Sequence, residues 1–182
     1  MHSTRPAAQA GTRVTSSGAA SRFQVYASPE MLAIARAKVP RAKLEIGDVT
    51  RLAFGASTFD LVVCALALDH VSNLADAIGE FARVTRSGGR IVISTLHPMG
   101  LLLGGGAFYR TNDGAYGLVA NERYLVSDYV AAFAKAGLAI EACLEPPDAT
   151  IAMLTSAALA PETYRVALTG LPLALIWKLA KP

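Results

Sequence analysis

The sequence is poor in the residues that many specialised classes of protein need. Only two cysteines and three histidines occur among its 182 residues. Cys64 and Cys143 lie far apart in apolar runs, so we expect buried free thiols in a reducing compartment such as the cytoplasm, and no disulfide framework. The histidines are scattered over His2, His70 and His97. No metal-ligand cluster is therefore predicted.

The chain also has no large excess of positive or negative charge. Charged residues make up 17% of the chain and the formal net charge is only +3. The basic residues form no stripe and are not interleaved with aromatic residues, so a nucleic-acid partner is not predicted. The apolar segment "LPLALIWKLA", near the carboxyl terminus, is about half the length that a membrane-spanning helix needs. No membrane span is predicted either.

The first 22 residues differ from the rest of the chain. This segment contains arginine but no Asp or Glu, is rich in Ser, Thr, Ala and Gly, and has no apolar period. We predict a flexible or disordered tail over residues 1–22 and one domain over residues 23–182. A targeting segment has a similar composition, but a clear amphipathic helix that carries arginine is lacking.

Strand and helix patterns alternate from residue 23. A helix is predicted after Ser28-Pro29-Glu30, and a second from Leu74 to Val84 that ends at Ser87-Gly88-Gly89. The predicted strands are "FQVY", "AKLEI", "FDLVVCALAL" and "RIVIST", and the third is apolar throughout, which is typical of a strand buried on both faces. This alternation predicts an α/β fold with a doubly wound, mostly parallel sheet.

The second half of the chain continues the alternation less regularly. The glycine-rich segment Leu101–Tyr116 is predicted to be a loop or lid. Ser127 is predicted to cap a helix, and Ala149–Leu159 to be partly buried and helical. The residues of the capped helix that we expect to face inward are Val130, Phe133 and Ala134. Two further strands, "LAIEACLEP" and "LALIWKL", are expected to form an antiparallel pair at one edge of the sheet.

Three phrases, in this order and spacing, resemble the class I S-adenosylmethionine-dependent methyltransferases of the small-molecule type, often called type 11. They are "SPEMLAIARAK", "GDVTRLAFGASTFDLVVCALALDHV" and "EFARVTRSGGRIVIST". The resemblance covers residues 23–99 and continues more loosely beyond them. It implies a Rossmann-like methyltransferase fold over residues 23–182, S-adenosylmethionine as the cofactor and a small-molecule acceptor. It implies no metal.

Asp48 directly follows a predicted strand, at the edge where open α/β sheets bind ligands. A carboxylate there can accept a hydrogen bond from an exocyclic amine such as that of adenine. The resemblance implies this role for Asp48, with the backbone N–H of Val49 donating to a ring nitrogen. It also implies that Cys64 and Ala65 lie near the methionine part of the cofactor, where a small residue lets the sulfonium approach. The alternative for Asp48 is that it only begins a turn.

Three further residues have a candidate role at this edge. By resemblance Met31 packs on the adenine face, although a role in the helix core is equally open. Tyr26 stands where the family has an acidic residue that binds both ribose hydroxyls, and it offers one hydroxyl without a charge. His97 follows the "RIVIST" strand, and histidine is the natural general base near neutral pH. The alternative for His97 is a loop residue that forms a hydrogen bond with the backbone and shapes the entrance to the acceptor site.

The family's first motif, a strand followed by an acidic residue and a Gly-x-Gly turn, is not found before Phe23. Gly11-Thr12 is a candidate for the end of such a turn. In the family the first strand lies in the middle of the sheet. Its absence leaves two neighbours unpaired unless the tail, another chain or a rearranged sheet fills the gap.

Three hypotheses on function stay open. The first is an active methyltransferase, for which the apolar segment Met99–Phe108 indicates an apolar acceptor. The second is a non-catalytic scaffold of the same fold that binds a partner subunit or forms a homodimer. The third is an inactive fragment of such an enzyme.

Overall fold

The computed structural model describes residues 11–15, 22–38, 42–102, 108–111, 113–146 and 170–182. Their centre is a seven-stranded sheet with the order β3-β2-β1-β4-β5-β9-β8. Its strands are β1 (Gly11–Thr15), β2 (Arg22–Tyr26), β3 (Lys43–Ile46), β4 (Phe59–Ala65), β5 (Thr85–Leu96), β8 (Ala139–Leu144) and β9 (Ala174–Ala180). A separate two-stranded sheet pairs β6 (Phe108–Arg110) with β7 (Tyr116–Leu118). That pair lies within and just beyond the segment predicted to be a loop or lid.

Most strands of the large sheet run in one direction. β2 is parallel to β3 and β4 is parallel to β5, whereas β9 is antiparallel to both β5 and β8. The α/β class with a mostly parallel sheet is therefore confirmed, as is the antiparallel pairing of the last two strands. The segment Ala149–Leu159, predicted to be helical, lies outside the described residues.

The position between β2 and β4 is occupied, although no strand was predicted before Phe23. β1 fills it and is antiparallel to both neighbours, β2 and β4. Gly11 is paired with Ala65, so β1 begins at the edge where β4 ends. Gly11-Thr12 thus opens a strand and does not end a turn, which corrects that expectation. Of the alternatives for filling the gap, the structure has the one in which the predicted tail supplies the strand.

Four helices are described: α1 (Pro29–Lys38), α2 (Leu74–Val84), α3 (Pro98–Leu102) and α4 (Val126–Lys135). α2 ends at Val84, and Thr85 is already paired with Phe59 on β4. The predicted helix end at Ser87-Gly88-Gly89 is therefore wrong, because these residues form an irregularity inside β5. The glycines are needed there for two reasons: Gly88 has φ +75, and a Cβ on Gly89 would lie 2.7 Å from Thr85 Cγ2.

α4 begins at Val126, two residues earlier than a cap at Ser127 would give. The Asp128 carboxylate accepts a hydrogen bond from Leu125 N–H at 2.7 Å, so Asp128 and not Ser127 caps this helix. Val130 and Ala134 are exposed, which corrects two of the predicted inward positions. The buried residues of α4 are Tyr129, Ala132 and Phe133.

The core packs the buried strands β4, β5 and β9 against α2 and α4. Trp177 of β9 is 2% exposed, and its ring centroid lies 5.2 Å from that of Phe133 on α4. Both cysteines are free, as predicted. Cys64 is buried, but Cys143 on the edge strand β8 is exposed, which corrects its predicted burial.

Candidate cofactor-binding site

The predicted site residues converge on one edge of the sheet. β2 ends at Tyr26, β3 ends two residues before Asp48, and β4 ends at Ala65. His97 directly follows the end of β5. The first residue of β1, Gly11, is paired with Ala65 and so lies at the same edge. This is the edge at which open α/β sheets bind their ligands.

Asp48 is placed by a close approach of two strands. A Cβ on Gly47 would lie 2.9 Å from Val25 Cγ1, so the position before Asp48 requires glycine. Gly47 N–H donates to Tyr26 O at 3.0 Å, which ties the end of β3 to the end of β2. The exposed residue Asp48 therefore projects from a fixed backbone.

The carboxylate of Asp48 has two oxygens with different surroundings. Oδ1 accepts a hydrogen bond from Thr50 N–H at 2.8 Å, and Asp48 O accepts one from Arg51 N–H at 3.0 Å. Asp48 therefore does begin a turn, as the alternative held. Within the described part of the chain, Oδ2 and the N–H of Val49 have no hydrogen-bond partner. One acceptor and one adjacent donor thus remain for a ligand.

Tyr26 is engaged with a neighbour on its own strand. Its hydroxyl donates to Gln24 Oε1 at 2.7 Å, and Gln24 is only 4% exposed. The hydroxyl that was expected to replace the family's acidic residue is therefore already used in a hydrogen bond. No charge is available at this position for ribose hydroxyls.

Met31 lies in the first turn of α1 and is partly exposed. Its N–H lies 3.4 Å from Ser28 Oγ, as expected if Ser28 caps the helix. The buried residues of α1 are Leu32 and Ala35. Since Met31 is not among them, the helix-core role has less support, and packing on adenine stays a prediction.

The end of β4 combines a buried residue with an exposed one. Cys64 is fully buried, so only its backbone is close to the edge, whereas Ala65 is exposed. Leu66, the next residue, has φ +50 and donates its N–H to Ser94 O at 2.8 Å. A left-handed conformation in a residue other than glycine costs on the order of 1–3 kcal/mol and is often found at functional sites.

His97 is 6% exposed and both of its ring nitrogens are engaged. Nε2 lies 3.1 Å from Glu145 Oε1, and Nδ1 lies 3.2 Å from the N–H of Met99. Since a backbone N–H can only donate, Nδ1 accepts there and Nε2–H donates to the carboxylate. These contacts are those of the alternative, a loop histidine that bonds the backbone. The role of general base stays a prediction, and it requires His97 to release one of these partners.

Sequence reasoning missed Asp69, a buried carboxyl group beneath the edge. Asp69 is 2% exposed, and it accepts hydrogen bonds from Thr95 Oγ1 and, at 3.0 Å, from Leu96 N–H. Burial raises the pKa of Asp69 above its usual value. The Tyr129 hydroxyl donates to Thr95 Oγ1 at 3.2 Å, and burial raises the pKa of Tyr129 as well. The available signal was one acidic residue directly after a long apolar run.

Sequence reasoning also missed an ion pair on α2, between Glu80 and Arg83. Arg83 Nε lies 2.6 Å from Glu80 Oε1. The hydrogen bond from Arg83 lowers the pKa of Glu80, and the same bond raises the pKa of Arg83. An acidic and a basic residue at i and i+3 within "EFAR" was the available signal, since such residues are neighbours on a helix.

The described part of the chain shows neither a metal site nor a membrane-spanning helix. No group of three or more His, Cys, Asp or Glu side chains there is arranged to hold a metal ion. None of its helices is long and apolar enough to cross a membrane.

The described residues form a doubly wound α/β fold, and most of the predicted site residues lie at one edge of its sheet. Residues 8–93 match the family described as "Methyltransferase domain". The match covers just under half of the chain, and it supports the predicted resemblance to the class I S-adenosylmethionine-dependent methyltransferases. S-adenosylmethionine is the cofactor that this family implies.

The chain is similar to the demethylmenaquinone methyltransferase of Mycobacterium tuberculosis. The two are 40% identical over 89 residues, which is 46% of this chain and 37% of that protein. The chain thus spans little more than a third of the length of this curated relative.

Solved structures share the fold at lower sequence identity. An S-adenosylmethionine-dependent methyltransferase from Mesorhizobium loti is 24% identical with a TM-score of 0.62, over 86% of this chain and 78% of that one. A chain of the Haloferax volcanii complex between the Trm112 methyltransferase activator and a methyltransferase is 18% identical with a TM-score of 0.67, over 88% and 71%. These likenesses support the Rossmann-like fold.

The described edge fits S-adenosylmethionine in part. Asp48 Oδ2 and Val49 N–H match the amine and ring nitrogen of adenine, and the exposed Ala65 leaves room at the end of β4. The ribose has no carboxylate partner at Tyr26. The residues present therefore offer an acceptor and a donor to the adenine but no charged partner to the ribose.

Proposed function

We propose that this chain transfers a methyl group from S-adenosylmethionine to a small-molecule acceptor at the carboxyl edge of its sheet. One observation carries the proposal: just beyond the end of β3, Asp48 Oδ2 and the N–H of the next residue, Val49, have no hydrogen-bond partner among the described residues. A carboxylate that accepts from an amine forms a charge-assisted hydrogen bond, which is stronger than a neutral one.

When bound, the cofactor supplies a methyl group on a sulfonium, which is transferred by in-line displacement. The chain's contribution is to hold and orient the reactants, and such orientation supplies a large part of the rate. Asp48 and Val49 hold the adenine, and the small side chain of Ala65 lets the reacting centre approach the end of β4. His97 and Glu145 shape the neighbouring end of β5, and His97 is the candidate base.

The proposed acceptor is apolar. Met99 and Leu102 on α3 are 43% and 59% exposed, and α3 begins directly after His97 at the same edge. The relatives named demethylmenaquinone methyltransferase support an acceptor that resembles a quinone. Location in the cytoplasm stays a prediction.

A second candidate function is a non-catalytic domain that binds a partner subunit or a second copy. Two observations favour it: Tyr26 has no charge for the ribose, and the interior strand β1 runs opposite to its neighbours. Calorimetric titration distinguishes the candidates. Micromolar binding of S-adenosylmethionine by the pure chain supports the enzyme, whereas binding only after a partner is added supports the second candidate.

We expect Asp48→Ala to weaken S-adenosylmethionine binding at least about tenfold, because a charge-assisted hydrogen bond is lost. Calorimetry measures the dissociation constant. Glu45→Ala is the matched control, since it removes an exposed carboxylate on β3 only three residues away and should bind like the unmodified chain. Equal affinity in Asp48→Ala would mean that adenine does not bind at this turn.

A further inference from the structure

The loop after Asp48 is bound to α2 by two side chains that the proposed function does not use. Glu80 Oε2 accepts a hydrogen bond from Leu52 N–H at 2.7 Å. Arg83 donates to Phe54 O through Nη1 at 2.8 Å and to Leu52 O through Nη2 at 3.0 Å. Three backbone groups of one short segment are thus held by one ion pair.

Backbone contacts continue this attachment along the loop. Ser57 N–H donates to Arg83 O and Thr58 N–H donates to Val84 O, both at 2.8 Å. The ring of Phe54 packs between strands, with its centroid 5.4 Å from that of Phe23 and 5.0 Å from that of Phe59. The segment from Leu52 to Thr58 is therefore attached to α2 and to the sheet.

The turn that carries Asp48 lies between two fixed points. On one side Gly47 N–H is bonded to Tyr26 O at the end of β2. On the other side Leu52, which is 5% exposed, is held through both its N–H and its carbonyl. Only four residues separate Gly47 from Leu52, so a shift of Leu52 changes the direction of the Asp48 carboxylate.

The geometry of Arg83 matters more here than its charge. Glu80 already neutralises the guanidinium, through contacts from Nε at 2.6 Å and Nη2 at 2.8 Å. The remaining donors reach two carbonyls in different directions. A lysine has one ammonium group on a flexible stem and does not reproduce this fork.

We propose that Glu80 and Arg83 are positioning residues that fix the Asp48–Val49 turn for the cofactor's adenine. Their action on the cofactor is indirect, through the backbone of Leu52 and Phe54. The inference rests on the proposed function, because it assigns a task to the same turn.

The test measures S-adenosylmethionine affinity by calorimetry for Arg83→Met, Arg83→Lys and the control Arg86→Met. Met keeps the apolar stem of Arg83, and Lys keeps its charge. The control breaks an ion pair of similar exposure, in which Arg86 Nη1 lies 2.8 Å from Asp60 Oδ1, away from the Asp48 turn. We expect both Arg83 variants to bind about five- to tenfold more weakly and the control to bind like the unmodified chain. If Arg83→Lys bound S-adenosylmethionine as tightly as the unmodified chain, the forked geometry of the guanidinium would not be needed.

Amide hydrogen exchange of the cofactor-free protein separates this inference from the proposed function. We expect the Leu52 and Thr50 amides to exchange at least about fivefold faster in Arg83→Met, while amides in β4 and β5 are unchanged. If Asp48→Ala weakens binding and Arg83→Met does not, this inference alone is wrong. If neither Asp48→Ala nor Arg83→Met changes the affinity for S-adenosylmethionine, the proposed adenine site is wrong. Separately, an unchanged exchange rate of the Thr50 amide in Arg83→Met would overturn the positioning role.

Discussion

At the scale of single residues, Asp69 shows how burial and hydrogen bonding oppose each other. Burial disfavours the charged carboxylate, whereas hydrogen bonds from Thr95 and Leu96 N–H favour it, and the net effect is a raised pKa. A carboxyl group with a raised folded-state pKa stabilises the fold fully only below its unfolded value. That contribution is lost as the pH rises through the folded value.

Asp69→Asn tests the direction in which stability changes with pH. The neutral amide does not ionise, so the unmodified chain should lose stability relative to the variant as the pH rises from about 3.8, the unfolded value. Each pKa unit of elevation corresponds to about 1.4 kcal/mol. Urea unfolding of both proteins between pH 4 and pH 8 measures the difference. A difference that does not change with pH would contradict the raised pKa.

Residue-level prediction from the sequence succeeded where a local pattern fixes the chemistry. Gly47-Asp48 after an alternating segment was enough to place a carboxylate just beyond the end of β3. The carboxylate partner of His97 was not predictable, because Glu145 lies 48 positions away and is brought near only by the pairing of distant strands. Asp69 was missed for the same reason, since its partners Thr95 and Leu96 lie at the end of β5, 26 and 27 positions further along the chain.

At the scale of elements, α4 shows that the sequence alone did not predict where the helix begins or which of its faces is buried. Ser127 was the obvious capping residue in the sequence, yet Leu125 N–H bonds to Asp128, three positions on. The helix therefore begins at Val126. Tyr129 and Phe133, four positions apart, face the core, whereas Val130 is exposed. Propensity alone did not decide this, because packing of the aromatic residues against Trp177 determines the rotation of the helix.

A pair of variants tests the cap. Asp128→Ala should lower the free energy of unfolding by about 1 kcal/mol, as is typical for the loss of a capping side chain. Ser127→Ala is the matched control, and as a surface substitution it should change stability by less than about 0.5 kcal/mol. Urea unfolding at pH 7 measures both. If Ser127→Ala costs more than Asp128→Ala, the cap assigned from the sequence was right after all.

At the scale of the whole molecule, the alternating pattern predicted the class of fold but not how the sheet is completed. The strands β2 to β5 carry apolar residues in patterns that identify them. "GTRVT" carries no such pattern and would not be assigned to the middle of a sheet from its sequence. It lies there because β2 and β4 present backbone groups on the sides that face each other, and unpaired groups in a buried sheet are costly. The unpaired backbone groups of β2 and β4 thus determine the structure of this short polar segment.

Two truncations test whether β1 completes the sheet. Removal of residues 2–10 leaves every described strand, and removal of residues 2–15 removes β1 and its pairing with β2 and β4. Each buried backbone group left without a partner costs about 1–3 kcal/mol. The longer truncation should therefore lose at least about 3 kcal/mol of unfolding free energy relative to the shorter one, as measured by urea unfolding. Equal stability would mean that β2 and β4 do not depend on β1, because they pair with each other or with another chain once it is removed.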